Sequence, residues 1–212
     1  MSRRRLPLVA LISGRGSNLQ SIIDAAGDDD LPVEIRAVLS NEPDAYGLKR
    51  ARRAGIETRV VNHRDYESRH DFDAALVNVI DGFEPGLVVL AGFMRILTAD
   101  FVNHYHGRLM NIHPSLLPDF PGVDTHQRAL DAGVKEHGAS VHFVTPELDG
   151  GPVIIQARVP VKKGDDADAL AARVLEKEHL IYPRAIKWFA EGRLEIDDKR
   201  VLLDGKPSLD QR

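Results

Sequence analysis

The stretch LPLVALISGRGSNLQSIIDAA, residues 6–26, decides the fold of this chain. Residues 6–12 form a continuous apolar run of strand length, and from Ser17 onward apolar side chains recur at the three- and four-residue spacing of a helix. Between them, residues 13–16 read SGRG, a composition typical of a tight turn. The stretch therefore predicts a buried strand, a turn and an amphipathic helix in immediate succession.

Strand and helix patterns continue to alternate through the first half of the chain. Further strands are predicted at residues 33–39, 58–61, 87–91 and 109–113, and further helices at 45–54 and 72–83. This alternation is typical of an α/β fold with a mainly parallel, twisted sheet and helices on both faces. Ligands of such sheets bind beyond the carboxyl ends of the strands.

The second half of the chain predicts an antiparallel C-terminal portion. Two β-rich segments are separated by a turn that carries Asp149, and a hairpin is expected near the end. A long helix precedes the hairpin and is expected to be interrupted or bent near Pro183. The predicted ranges are a short helix at 125–132, strands at 139–144 and 153–161, the long helix at 168–189 and the hairpin at 194–203.

Length and composition restrict the class of protein. With 212 residues, 43% hydrophobic and 28% charged, we expect a single globular domain over residues 1–212, with loose tails at 1–5 and about 206–212. A net charge of −4 gives no reason to expect a nucleic acid partner. The absence of cysteine excludes disulfides, thiolate chemistry and cysteine-bound zinc. Because the apolar runs fall short of the roughly 20 residues that span a bilayer, we expect a cytoplasmic protein without a membrane partner.

The first loop predicts a site for a single phosphate group. Gly16, Ser17 and Asn18 join a strand to a helix start, where backbone N–H groups and the helix dipole favour an anion. A dinucleotide fingerprint would need glycine in place of Leu19, and the lysine of a P-loop is absent. A tight structural turn without a ligand is the alternative interpretation of this loop.

The predicted strand 109–113, LMNIH, carries the chemistry. Alternation places Asn111 and His113 on one side of it, and Pro114 ends it. Asn111 can donate to an oxyanion, His113 can stabilise the same charge and move a proton, and a carboxylate such as Asp149 can orient the imidazole. This set suits direct acyl transfer between two bound substrates; a polar strand end without a role is the alternative.

Two other kinds of site are disfavoured. The nine histidines show no recognised metal-ligand spacing, so we expect no metal. A hydrolase built on Ser115 would need the Gly-x-Ser-x-Gly elbow, which is missing, so Ser115 is interpreted as a turn residue.

Five motifs resemble a known family over nearly the whole chain. They are SGRGSN at 13–18, LAGFMRIL at 90–97, NIHPSLLP at 111–118, HGASVHFV at 137–144 and LDGGP at 148–152. They closely resemble the phosphoribosylglycinamide formyltransferase family of folate-dependent formyltransferases. The resemblance implies a Rossmann-like fold and transfer of a formyl group from 10-formyltetrahydrofolate, a cosubstrate, to the glycinamide amine of 5-phosphoribosylglycinamide in purine synthesis.

The resemblance also implies roles for individual residues. The catalytic set would be Asn111, His113 and Asp149, with Ser140 and His142 in support. The phosphate and ribonucleotide would contact Gly16, Ser17, Asn18, Arg69 and Glu178. The folate would contact Met94, Arg95, Ile96, Leu97, Val144 and Asp149. Without the resemblance, Met94, Ile96 and Leu97 are interpreted as core residues and Glu178 as a solvated helix charge.

Related enzymes and a different class of protein remain as alternatives. A formyltetrahydrofolate deformylase shares the catalytic trio, but it resembles this chain less at the first loop and normally carries a further domain, for which 212 residues leave no room. Methionyl-tRNA formyltransferase would need a tRNA-binding domain and a basic surface. A non-catalytic nucleotide-phosphate binding module is the alternative of another class. We expect small-molecule substrates and a monomer or homodimer.

Overall fold

Strands and helices alternate through the first half of the chain, as predicted. The computed structural model describes residues 5–28 and 30–210. Its first elements are β1 (Leu6–Ile12), α1 (Ser17–Gly27), β2 (Val33–Ser40), α2 (Tyr46–Arg53), β3 (Glu57–Val60), α3 (Arg69–Asp81), β4 (Leu87–Leu90), α4 (Ala99–His104) and β5 (Leu109–His113). The later elements are α5 (Thr125–Asp131), β6 (Glu136–Phe143), β7 (Val153–Pro160), α6 (Ala167–Ala190), β8 (Leu194–Asp197), β9 (Arg200–Leu203) and β10 (Lys206–Pro207).

A mixed sheet of seven strands organises the fold. Its order is β3-β2-β1-β4-β5-β6-β7, with parallel pairing from β3 to β5 and an antiparallel β6–β7 pair. Strands β8, β9 and β10 form a separate antiparallel sheet. The predicted Rossmann-like α/β class with an antiparallel C-terminal portion is confirmed.

The first of two compact units comprises residues 1–111. Its core is built on β1 and β4, whose apolar runs leave Leu8 to Ile12 at 0% exposure and all four residues of β4 buried. Strands that are buried on both faces are apolar along their whole length. Their sequences therefore show continuous apolar runs and no alternation of apolar and polar residues. Full burial of a Val, Leu or Ile side chain contributes roughly 1.5–3 kcal/mol to stability.

Helix α4 in the same unit was not predicted. It has only six residues, too few for an apolar period to register. Thr98 caps it by accepting the Phe101 N–H, and Asp73 on α3 accepts the Thr98 N–H at 2.6 Å. The start of α4 is therefore fixed to α3 by a buried carboxylate.

The second unit, residues 112–212, contains the β6–β7 pair and the 24-residue helix α6. Asp166 caps α6, and apolar side chains at helical spacing, among them Leu170, Val174 and Ile181, are buried. Helix α6 continues through Pro183, so it is not interrupted there, and a bend near Pro183 stays a prediction.

The chain end is more ordered than predicted. The hairpin at 194–203 is confirmed as β8 and β9. The sequence predicts a loose end from about residue 206, but Lys206–Pro207 pairs with β9 and Ser208 is only 4% exposed. Residues 211 and 212, and residues 1–4 of the other predicted tail, lie outside the described residues. The single domain over 1–212 stays a prediction.

Candidate active site

The first β-to-α turn is shaped by two glycines in contact. Gly16 adopts a left-handed conformation (φ +69°), and a Cβ atom there would lie 2.6 Å from the Cα atom of Gly47. The Gly47 N–H donates to the Gly14 carbonyl oxygen at 2.9 Å. Gly16 provides no side-chain cap for α1, so the amino end of this 11-residue helix keeps the character of an anion site. The binding of a phosphate group by this loop stays a prediction.

Ser13, which follows β1, forms hydrogen bonds with residues that follow β2 and β4. Its Oγ donates to Asn41 Oδ1 at 2.5 Å, at the end of β2, and accepts the Met94 N–H at 2.7 Å, after β4. Its own N–H donates to the Gly92 carbonyl oxygen at 3.0 Å. The predicted phosphate loop and residues 92–97, which include the predicted folate contacts Met94 to Leu97, therefore share one anchoring side chain.

The predicted folate contacts after β4 include exposed apolar side chains. Met94 is 73% and Ile96 57% exposed, so the interpretation of these two as core residues is wrong. Arg95 lies near enough to Glu42 to act on it electrostatically, although the main partner of Glu42 is Arg64, whose hydrogen bonds at 2.8 and 3.1 Å lower the pKa of Glu42. Exposed apolar groups beside a cation suit an amphipathic, anionic ligand.

Strand β5 carries the predicted amide and imidazole as expected. Asn111 is half-buried and pairs in register with Leu90 of β4, while His113 is the last residue of the strand and 5% exposed. Two residues apart on one strand, the side chains leave the same face. His113 thus stands at the carboxyl end of its strand, where ligands bind in open α/β sheets.

Asp149 lies beside His113 in the second unit. His113 Nδ1 is 3.5 Å from Asp149 Oδ2, and the side chains are 7% and 9% exposed. His113 Nε2 lies 2.9 Å from the Phe120 carbonyl oxygen, and since a carbonyl only accepts, Nε2 carries the hydrogen. Asp149 Oδ2 also accepts the Gly122 N–H at 2.8 Å. The segment after β5 therefore touches both members of the pair through its main chain.

His142 faces the other oxygen of Asp149 but forms no ion pair with it at neutral pH. Its Nε2 lies 3.8 Å from Asp149 Oδ1, and its Nδ1 donates to the Phe143 carbonyl oxygen at 2.9 Å. Burial lowers the pKa of His142 to about 4, outweighing the opposing effects of that hydrogen bond and of Asp149. His142 is therefore neutral, and the ring nitrogen nearest to Asp149 is His113 Nδ1, at 3.5 Å.

Ser140, predicted in support, contacts the chain after β5. Its Oγ donates to the Ser115 carbonyl oxygen at 2.7 Å and accepts the Leu117 N–H at 3.0 Å. Ser115 is fully buried and donates to the Asp119 carbonyl oxygen at 2.6 Å, which suits a turn residue.

The remaining predicted residues are distributed over both units. Arg69 is the first residue of α3 and exposed. Glu178 on α6 is only 7% exposed, so its interpretation as a solvated charge is wrong. Val144 directly follows β6 and begins the turn that carries Asp149. The roles of these residues stay predictions.

Several groups that shape the site were missed by sequence reasoning. Gly47 could have been noticed in the sequence, because glycine is unfavourable in a helix and this residue lies in the first turn of α2. Ser13 and Asn41 follow strand ends, where they could have been singled out. Phe120 and Gly122 act through main-chain groups, which no side-chain motif can indicate.

Comparison with known proteins shows the family of this chain. A model of the formyl transferase family matches residues 6–186. The chain belongs to the formyl transferase family. As a formyl transferase it is 56% identical over 199 residues to the phosphoribosylglycinamide formyltransferase of Escherichia coli (strain K12), covering 94% of each chain. It is 44% identical to the trifunctional purine biosynthetic protein adenosine-3 of Homo sapiens, covering 92% of this chain and 19% of that protein.

Solved structures of formyl transferases share the fold. The phosphoribosylglycinamide formyltransferase of Coxiella burnetii, in complex with CHES, superimposes with a TM-score of 0.91 at 54% identity, covering 96% of this chain and 95% of that one. The formyltetrahydrofolate deformylase of Burkholderia mallei gives a TM-score of 0.85 at 28% identity, covering 94% of this chain and 70% of that one. Identity is thus higher to the transferase than to the deformylase.

Proposed function

We propose that the protein transfers the formyl group of 10-formyltetrahydrofolate to the amine of 5-phosphoribosylglycinamide, a step of purine synthesis. The observation that carries this proposal is the His113–Asp149 pair at the end of β5, 3.5 Å apart and almost fully buried. Ser115 and Ser140 both donate their hydroxyl hydrogens to main-chain carbonyls, which makes them poor nucleophiles. The substrate amine is therefore the nucleophile.

The reaction proceeds by direct attack. The amine nitrogen forms a bond to the formyl carbon, whose oxygen becomes an oxyanion that accepts from the Asn111 amide and the His113 Nε2–H. One such donor is typically worth roughly 3–4 kcal/mol of barrier. The attacking nitrogen loses a proton, through water, to Asp149. The oxyanion then re-forms the carbonyl as the bond from the formyl carbon to the folate nitrogen breaks, and that nitrogen takes up, through water, the proton that Asp149 accepted.

The Phe120 carbonyl has to move for this role of His113. In the structure this carbonyl oxygen accepts the hydrogen bond from His113 Nε2–H that the oxyanion would have to accept during the reaction. The exchange of one acceptor for another at Nε2 requires no change in the 3.5 Å contact between His113 Nδ1 and Asp149 Oδ2.

The binding sites of the substrate groups are assigned from the resemblance to the family. The phosphate binds the loop formed by Gly16, Ser17 and Asn18, and Arg69 and Glu178 contact the ribonucleotide. The folate binds the loop that carries Met94 to Leu97 and the turn from Val144 to Asp149. A monomeric or homodimeric state in the cytoplasm stays a prediction.

The test supplies purified protein with 10-formyltetrahydrofolate, with and without the ribonucleotide, and follows both products. We expect formylated ribonucleotide to form and little folate deformylation without the amine. Rapid deformylation that the amine leaves unchanged would identify a deformylase, as in the Burkholderia mallei relative. Ribonucleotide binding without turnover would identify a non-catalytic module.

A further inference from the structure

Gln156 on β7 makes two hydrogen bonds that its place in a strand does not require. It is paired in register with Ser140 of β6. Its Nε2 donates to the Leu117 carbonyl oxygen at 2.8 Å and to Ser140 Oγ at 2.9 Å. Because a carbonyl oxygen only accepts, the amide must present its nitrogen to Leu117, and both amide hydrogens are used.

Ser140 completes this arrangement. Its Oγ donates to the Ser115 carbonyl oxygen and accepts from the Leu117 N–H and from Gln156. A hydroxyl has one hydrogen and two lone pairs, so its capacity is filled. Together the two side chains bind three main-chain groups of residues 115–117. We call residues 115–117 the 115–117 anchor.

The anchor begins the segment that contacts His113 and Asp149. Ser115 Oγ donates to the Asp119 carbonyl oxygen, closing a turn. The next residue, Phe120, gives its carbonyl oxygen to His113, and the Gly122 N–H binds Asp149. Phe120 has φ +52°, a conformation that L residues rarely adopt, so its carbonyl direction depends on how the segment is held. A shift of the anchor therefore reaches both side chains.

We propose that Gln156 is a positioning residue for formyl transfer, which sets the mutual orientation of His113 and Asp149 by holding the 115–117 anchor. This inference rests on the proposed function. Gln156 acts through the main chain of residues 115–122, so its removal changes the geometry of the pair while the side chains of His113 and Asp149 remain.

The experiment compares two replacements with a control on the same strand. Gln156→Met keeps the length of the side chain and removes both donors, and Gln156→Glu points a carboxylate at the Leu117 carbonyl. Arg158→Gln is the control, because Arg158 is exposed and its side chain donates to Glu136 of the neighbouring strand, away from residues 115–117. We expect kcat to fall about 10-fold or more in both Gln156 variants, since misplacement by 1 Å can cost 10²-fold. The KM for the ribonucleotide and the activity of Arg158→Gln should stay within about twofold of wild type.

A second readout separates positioning from stability. In protein labelled with ¹⁵N at histidine and free of substrate, the His113 ring signals should shift in Gln156→Met and remain in place in Arg158→Gln. In a Ser140→Ala background, Gln156→Met should add little, because both act on one anchor. Unchanged ring signals in either folded Gln156 variant, or wild-type kcat per folded molecule, would overturn the inference. If wild-type protein transfers no formyl group, the proposed function fails, whereas the ring signals still decide the role of Gln156.

Discussion

Replacing Gly16 by alanine tests whether the contact between the two glycines shapes the phosphate loop. The left-handed backbone alone costs an alanine roughly 1–2 kcal/mol. The new Cβ would also lie 2.6 Å from the Gly47 Cα atom, whereas ordinary contact begins at 3.4 Å, so the loop would have to open by about 0.8 Å. Overpacking of this kind adds about 1–3 kcal/mol. We expect Gly16→Ala to lower the free energy of unfolding by about 2–5 kcal/mol.

Gly55 provides the matched control. Its φ of +71° is nearly that of Gly16, but a Cβ there would meet nothing within 4 Å. Gly55→Ala should therefore show the conformational cost alone, and urea unfolding of both variants separates it from the cost of the contact. The displaced loop should raise the KM for the ribonucleotide at least about tenfold in Gly16→Ala, because phosphate binding depends on backbone placement. Equal unfolding free energies for the two variants, or an unchanged KM, would refute the reasoning.

Three further predictions concern other parts of the molecule. Asn111→Ala and His113→Ala should each lose at least about 10²-fold in turnover; near-normal turnover in either would contradict its role. Ser13→Ala should raise the KM for both substrates, because Ser13 anchors two loops, and an effect on one substrate alone would argue against a shared anchor. Burial, followed by the nearby His126, lowers the pKa of His137 from 6.5 to about 4. As the pH is lowered, His137 becomes protonated in the unfolded chain before it does so in the folded protein. The free energy of unfolding should therefore fall by up to about 3 kcal/mol between pH 6.5 and pH 4. Urea titrations of His137→Phe should lack this part of the pH dependence.

The sequence predicts those helices and strands whose pattern of apolar residues is long enough to be recognised. β1 is a continuous apolar run, β5 is a short run that ends at Pro114, and in α1 apolar residues recur at helical spacing. α4 was missed because six residues do not complete two turns. The order of residues 206–208 depends on pairing with β9, which is tertiary and leaves no local mark.

In the candidate site too, some relations between residues can be predicted from the sequence and others depend on the tertiary fold. Asn111 and His113 share a strand face by spacing alone, so their relation is readable from sequence. That Asp149 lies 3.5 Å from His113 depends on the turn after β6 folding back toward the end of β5. The Phe120 carbonyl and the Gly122 N–H are main-chain groups, and their positions follow only from the whole segment.

Strand β3 is an end of the seven-stranded sheet, and its composition bears on how the protein behaves in a crowded solution. An unpaired strand edge can recruit another polypeptide and start aggregation. β3 has only four residues, and two of them, Glu57 and Arg59, form an ion pair. Short length and charge are both common protections of a strand edge. Replacing this pair by threonine and valine would leave an apolar, strand-forming edge and should lower the concentration at which the protein remains monodisperse.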